Sequence, residues 1–136
     1  VEKKIIADTD VLIDLLSTNN VRHTNTKRIL LPLIADANVF ISCITSMELL
    51  VGATNKVALR KIKMNLSVFQ IIYLDIIVSK LSIDLLQQYN LSHGLQIQDC
   101  FIAATALATS LPLFTYNTKD FAFIDGIVLY EKATLN

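Results

Sequence analysis

Five short apolar runs, rich in β-branched and aromatic residues, punctuate the chain: KIIA (4–7), NVFISC (38–43), QIIYL (70–74), PLFTY (112–116) and GIVLY (126–130). Between the first four lie longer stretches whose apolar residues recur at helical spacing, such as 11, 12, 15 and 16, or 77, 78, 81, 85 and 86. Helices are therefore expected over 11–17, over Thr24–Ala37 with Pro32 starting, kinking or shortening it, over 55–68 and over 76–90, ending near Gly94. Two more should begin at side-chain caps: Thr45 or Ser46 before SMELLVGA, which puts Glu48 in a first turn, and Asp99 before CFIAATALATS. Strands that alternate with helices need crossover connections, and a sheet built that way is parallel and covered on both faces. The expected fold is a three-layer α/β/α sandwich around a mainly parallel sheet of about five strands. The length, 136 residues, suits one domain spanning 1–136 with a real core.

Composition narrows the function. With 53% hydrophobic and 18% charged residues the chain is far from disordered, and some apolar surface is expected to be covered by a partner. No apolar run approaches the roughly 18–20 residues that cross a bilayer. The first residues, VEKKIIADTD, lack a signal-peptide cleavage pattern, so a cytoplasmic protein with no membrane partner is expected. Cys43 and Cys100 stand far apart in apolar segments, which suits buried thiols and neither a disulfide framework nor a zinc site. His23 and His93 fall in polar connections without a partner at metal-ligand spacing, as ordinary surface histidines do. Twelve basic and twelve acidic residues cancel. A protein that coats nucleic acid is usually basic, so any nucleic-acid contact here must be local. Lys56, Arg60 and Lys63, sharing a helical face, are one candidate for RNA contact, although a solvated helix face explains them equally well.

Four acids break the apolar pattern. Asp8, Glu48, Asp99 and Asp120 sit in IIADTDVL, TSMELLVGA, IQDCFIAATA and NTKDFAF. A carboxylate against apolar surface is costly unless it is paired, hydrogen-bonded or bound to a cation. In a parallel sheet with right-handed crossovers, Asp8, Glu48 and Asp120 follow strand ends and share the edge where such folds keep their functional crevice. Asp99 reaches the same edge from a helix start. Clustered carboxylates repel, and a hard divalent ion such as Mg²⁺ or Mn²⁺ removes the conflict. Such an ion activates water and stabilises charge on a scissile phosphodiester. Each acid also has a structural alternative: Asp99 as a helix cap, Glu48 as a favourable first-turn charge, Asp120 as a turn residue. Neither a Ser/His/Asp constellation nor a Gly-rich phosphate loop supplies a competing chemistry.

In order along the chain, DTDVLIDLL, TSMELLVGA, QDCFIAATALATSLPLFTYNTKDF and GIVLYE resemble a PIN domain, and most of all the VapC-type ribonuclease toxins of toxin–antitoxin pairs. The stretch from Asp99 to Phe121 carries the likeness most strongly. The resemblance implies a three-layer α/β/α fold and a Mg²⁺-dependent endoribonuclease, usually dimeric, inhibited by a small cognate antitoxin. Asp8, Glu48 and Asp99 then match the family's first three acids as catalytic and metal-holding residues. Asn117 occupies a position that is Asp in many PIN nucleases, while Asp120 matches the acid that toxin-type members often use. Thr9 and Thr115 match polar residues beside the metal. Asp10 departs from the commoner Asn or Ser, and the resemblance gives it no role.

Asp8-Thr9-Asp10 after an apolar strand also resembles the first motif of haloacid-dehalogenase-type phosphatases, with Asp8 as nucleophile and Asp10 as general acid. That reading wants a lysine and a late acidic pair, finds no adjacent pair in TYNTKDF and leaves Glu48 unexplained. A third reading keeps the PIN-like fold as a non-catalytic RNA- or protein-binding module. The presence of every key acid speaks against it.

Overall fold

The computed structural model describes residues 3–131; the ends of the expected 1–136 domain lie outside the described residues. The elements follow one another as β1 (Ile5–Ala7), α1 (Thr9–Leu16), α2 (His23–Ala35), β2 (Val39–Ser42), α3 (Cys43–Val51), α4 (Lys56–Leu66), β3 (Gln70–Ile72), α5 (Ile76–His93), α6 (Ile97–Thr109) and β4 (Leu113–Phe114). The strands form one sheet in the order β3-β2-β1-β4, all parallel, with Ile5 opposite Val39 and Ile6 opposite Leu113.

Alternation along β1 builds the layers. Ile5 and Ala7 face one apolar cluster with Val39, Ile41, Val11 and Leu12 of α1, and Ile29, Leu30 and Leu33 of α2. Ile6 faces the other with Leu113, Val78, Leu85 and Tyr89 of α5, and the run Ile102, Ala103, Ala104 and Ala106 of α6. A side-chain period of two forces this division. Both faces of the sheet are therefore covered, which makes the α/β/α sandwich. Among the described residues, no helix is long and apolar enough to cross a membrane.

Several expectations need correction. Among the described residues the sheet has four strands, where about five are expected. The segment 126–130 runs beside β4 for a single rung, where Leu113 N–H donates to Val128 O and Tyr130 N–H donates to Leu113 O, both at 2.8 Å. β4 spans two residues, and Phe114 gives its carbonyl to Asp8 on the opposite side, so one outward-facing residue is all it offers. Helix α3 starts at Cys43 because Ser42, rather than Thr45 or Ser46, caps it by accepting from Ile44 N–H at 3.1 Å. Glu48 consequently lies in the second turn, not the first. Helix α6 starts at Ile97 after Gln96, so Asp99 is a first-turn residue and not the cap. Pro32 sits inside α2, which ends a turn later at Ala35. Cys100 is buried but Cys43 is only half-buried. As expected, α5 closes at Gly94, whose φ of 70° is the left-handed conformation that suits glycine at a helix end.

Candidate active site

The chain crosses from β1 to β2 on one side and reaches β4 on the other, so β1 and β4 flank the point where strand order reverses. Side chains at the carboxyl ends of these strands open onto a crevice. Asp8 follows β1 directly, and its backbone N–H donates to Phe114 O at 2.9 Å, which ties it to the end of β4. Its Oδ1 caps α1 by accepting from Thr9 N–H at 2.8 Å. Its Oδ2 accepts from the Thr115 hydroxyl at 2.9 Å. Glu48 arrives from α3: Thr9 Oγ1 donates to Glu48 Oε1 at 2.8 Å and lies 3.1 Å from the Thr45 hydroxyl oxygen. Asp10, in the first turn of α1, accepts from Tyr116 N–H through Oδ2 at 2.9 Å. Its other oxygen, Oδ1, is buried and has no hydrogen-bond partner.

Electrostatics bind the acids into one system. Burial, then the charge of Asp10, drives the Asp8 carboxyl up to about 7 against the opposing hydrogen bonds of Thr115 and Thr9, with Asp99 adding to the rise. Asp99 is driven up to about 6 by burial, then by repulsion from Asp120, Glu48 and Asp10. Asp10 is also raised by burial, while the N–H groups of Tyr116 and Val11, the Asp8 carboxyl and the Arg22 charge pull it back. Burial and the neighbouring Asp99 raise the Cys100 thiol too, which keeps it protonated and inert. A cluster of this kind wants either protons or a cation.

A PIN-domain family model matches residues 5–127, nearly all of the described chain. This chain belongs to the PIN-domain family. Among solved structures, this PIN domain is similar to a toxin–antitoxin complex from Klebsiella pneumoniae, with 37% identity, a TM-score of 0.74, and coverage of 92% of this chain and 96% of that one. FitAcB from Neisseria gonorrhoeae follows at 27% identity and a TM-score of 0.69, covering 93% and 96%. VapBC2 from Rickettsia felis, bound to a DNA fragment from its promoter, shares the fold at 23% identity and a TM-score of 0.73, also covering 93% and 96%. The resemblance therefore holds at the level of the PIN family, and the 37%-identical relative comes from a toxin–antitoxin complex. No curated protein shows significant sequence similarity to this PIN domain.

The PIN fold brings Asp8, Thr9, Glu48, Asp99, Thr115 and Asp120 to one edge. Asp120 ends the short 3₁₀ turn Thr118–Asp120 and acts on Asp99. Asn117 is exposed, and its backbone N–H donates to Thr115 Oγ1 at 3.1 Å. Asp120 is thus a charge that acts on the cluster, while Asn117 is neutral and meets Thr115 through its backbone. Lys56, Arg60 and Lys63 lie on the exposed face of α4 and are not among the charges that act on Asp8, Asp10 or Asp99. Sequence reasoning missed three participants. The family resemblance gives Asp10 no role, although its position two residues after Asp8 places it in the same helix turn. Thr45 was read as a cap, whereas its buried hydroxyl faces Thr9. Tyr116, one residue beyond Thr115, carries the N–H that holds Asp10.

The donor set fits a hard divalent cation. It consists of the carboxylate oxygens of Asp8, Glu48, Asp99 and Asp120, with hydroxyls fixing two of them, while Asp10 adds a further buried oxygen, Oδ1, that makes no hydrogen bond. The carboxylates surround an edge without closing on it: among the described residues, no three acidic, histidine or cysteine side chains form a ready-made metal cage.

Proposed function

We propose that this PIN domain is a Mg²⁺- or Mn²⁺-dependent endoribonuclease, the toxin of a toxin–antitoxin pair, acting in the cytoplasm as a homodimer and restrained by a small cognate antitoxin. One observation carries the catalytic half of this reading: Asp8, Asp10, Glu48, Asp99 and Asp120 share one sheet edge, where Asp10 and Asp99 raise the proton affinity of Asp8, and Asp120, Glu48 and Asp10 raise that of Asp99. The partner half is supported by relatives whose solved structures are toxin–antitoxin complexes. Exposed Leu31 on α2 and Val57 and Met64 on α4 leave apolar surface that a two-fold dimer through these two helices would cover.

Asp8, Asp99 and Glu48, with Asp120 beside them, would hold the ion. Once bound, it would supply Lewis-acid stabilisation of the charge that develops on a phosphodiester. The protein's own groups do the rest. Thr115 and the Thr9 N–H aim the two Asp8 oxygens, and Thr9 Oγ1 aims Glu48. Asp99, repelled by Asp120, Glu48 and Asp10 in the metal-free protein, offers its carboxylate to the ion. Asp120, more exposed, keeps the edge open to a polymer.

Two tests follow. Wild type should cut RNA internally in Mg²⁺, stop in EDTA, and lose cleavage in Glu48→Gln. A phosphomonoesterase would instead release phosphate from a small phosphomonoester and tolerate Glu48→Gln, while a non-catalytic module would bind RNA or protein and cut nothing. Either result would overturn the nuclease reading. Thr9→Val keeps the side-chain shape but removes the hydrogen bond to Glu48. Support of a ligand by such a neighbour is worth roughly 10–100-fold, so cleavage should fall about tenfold with little change in Tm. Wild-type rates in Thr9→Val would remove its positioning role.

A further inference from the structure

Arg22 precedes α2, and its guanidinium is fixed from two sides. Nε donates to Asp14 Oδ2 at 2.6 Å, and Cζ lies over the Tyr116 ring at 4.2 Å from its centroid. Both supports are themselves anchored. Asp14 is buried in α1 and also accepts from Asn20 Nδ2 at 2.9 Å. Tyr116 shares a 2.5 Å hydrogen bond with the Thr26 hydroxyl, and its N–H holds Asp10. One side chain therefore separates the guanidinium from the acidic edge, and Arg22 and Asp10 act on each other electrostatically.

A guanidinium needed only to neutralise a buried carboxylate would usually grip it with two parallel N–H bonds. Here a single Nε bond is made. The two terminal nitrogens have no hydrogen-bond partner among the described residues, and the side chain is 51% exposed. Beside it lies an open hollow of about 480 Å³ lined by Asp14, Asn19, Asn20, Val21 and Arg22, room for a ligand of nucleotide size. A polyanion approaching five carboxylates needs a fixed cation close by, and the lysines and arginine of α4 are not coupled to that edge.

We propose that Arg22, braced by Asp14 and stacked on Tyr116, binds a backbone phosphate of the RNA strand next to the one that is cut. This rests on the ribonuclease reading above. A planar donor pair on a rigid mount suits phosphate better than a lysine would, and the Tyr116 ring keeps the guanidinium from swinging onto the acids.

The test is cleavage of a short RNA oligonucleotide across a salt series by wild type, Arg22→Gln, and the paired variant Asp14→Asn with Arg22→Gln. The paired variant removes the buried charge together with its partner, so the fold survives even where the single change leaves Asp14 stranded. Expected are a KM raised about tenfold, a kcat within about threefold of wild type, and a salt slope shallower by about 0.7, the loss of one phosphate contact on a single strand. Arg22→Lys should fall between. A paired variant with the KM and salt slope of wild type would make Arg22 only the counter-charge of Asp14 and overturn the inference. So would a loss confined to kcat. If wild type itself neither binds nor cuts RNA, the ribonuclease reading falls and takes this inference with it; if wild type cuts and the paired variant matches it, the inference falls alone.

Discussion

Asp99→Asn should abolish RNA cleavage while leaving the fold intact or slightly steadier. Asp99 is not the cap of α6, since Gln96 holds that place, and it contributes only a first-turn charge worth a few tenths to about 1 kcal/mol. Against that gain stands repulsion from Asp120, Glu48 and Asp10, which the substitution relieves. The amide keeps the shape and loses the negative oxygen. Changing a residue that merely supports a metal ligand costs roughly 10–100-fold, so losing the ligand itself should cost more than about a hundredfold. Single-turnover cleavage with saturating enzyme, together with a thermal melt, reads both quantities. Activity near wild type in a folded Asp99→Asn would remove Asp99 from the chemistry.

The second large effect is on stability. Asp8 and Asp99 have folded-state proton affinities raised above their unfolded value of 3.8, to about 7 and about 6. A raised acid contributes stability in full below its unfolded pKa and loses it as pH climbs through the folded one. Protein stripped of divalent ions should therefore weaken between about pH 4 and pH 7. From pH 5.5 to 7.5, buried Asp8 alone should cost on the order of 2 kcal/mol, roughly 5–10 °C in Tm. Millimolar Mg²⁺ or Mn²⁺ should remove most of that fall, because a ligand that binds only the native form stabilises it by mass action. Asp8→Asn should melt higher than wild type at pH 7.5 without metal and respond less to the ion. A flat metal-free pH profile in wild type would contradict the electrostatic picture of the edge.

Much of this edge is legible in the chain because the signals are local and physical. IIA followed by Asp reads as a short buried strand that ends in an acid, and parallel crossovers then bring Asp8 to the functional edge; Thr115, inside the run PLFTY, is marked for the site by the family resemblance alone, and the structure pairs it with Asp8. The helices were found by apolar period, but their starts were not. Ser42, Thr45 and Ser46 all have capping side chains, and only the geometry at the end of β2 selects Ser42. Gln96 caps nothing with its side chain and so gives no signal in the sequence, whereas Asp99 three residues later has a capping side chain. GIVLY has strand composition, yet whether it pairs depends on how much of β4 is free, a tertiary fact. The Asp14–Arg22–Tyr116 arrangement joins a residue of α1, the residue before α2 and one just past β4 across 102 positions of sequence, and no local pattern announces it.

The central claim, that the acidic edge is a divalent-cation centre, is tested most directly by calorimetric titration of metal-stripped protein with Mn²⁺ at pH 6 and pH 7.5, in buffers of different ionisation enthalpy. Carboxyls that hold protons near neutrality must give them up to bind an ion. The prediction is binding at both pH values, tighter at pH 7.5, with about one proton released per ion at pH 6, and with both binding and release lost or sharply reduced in Asp8→Asn. Absence of binding at millimolar Mn²⁺, or binding that ignores pH and survives Asp8→Asn unchanged, would contradict it.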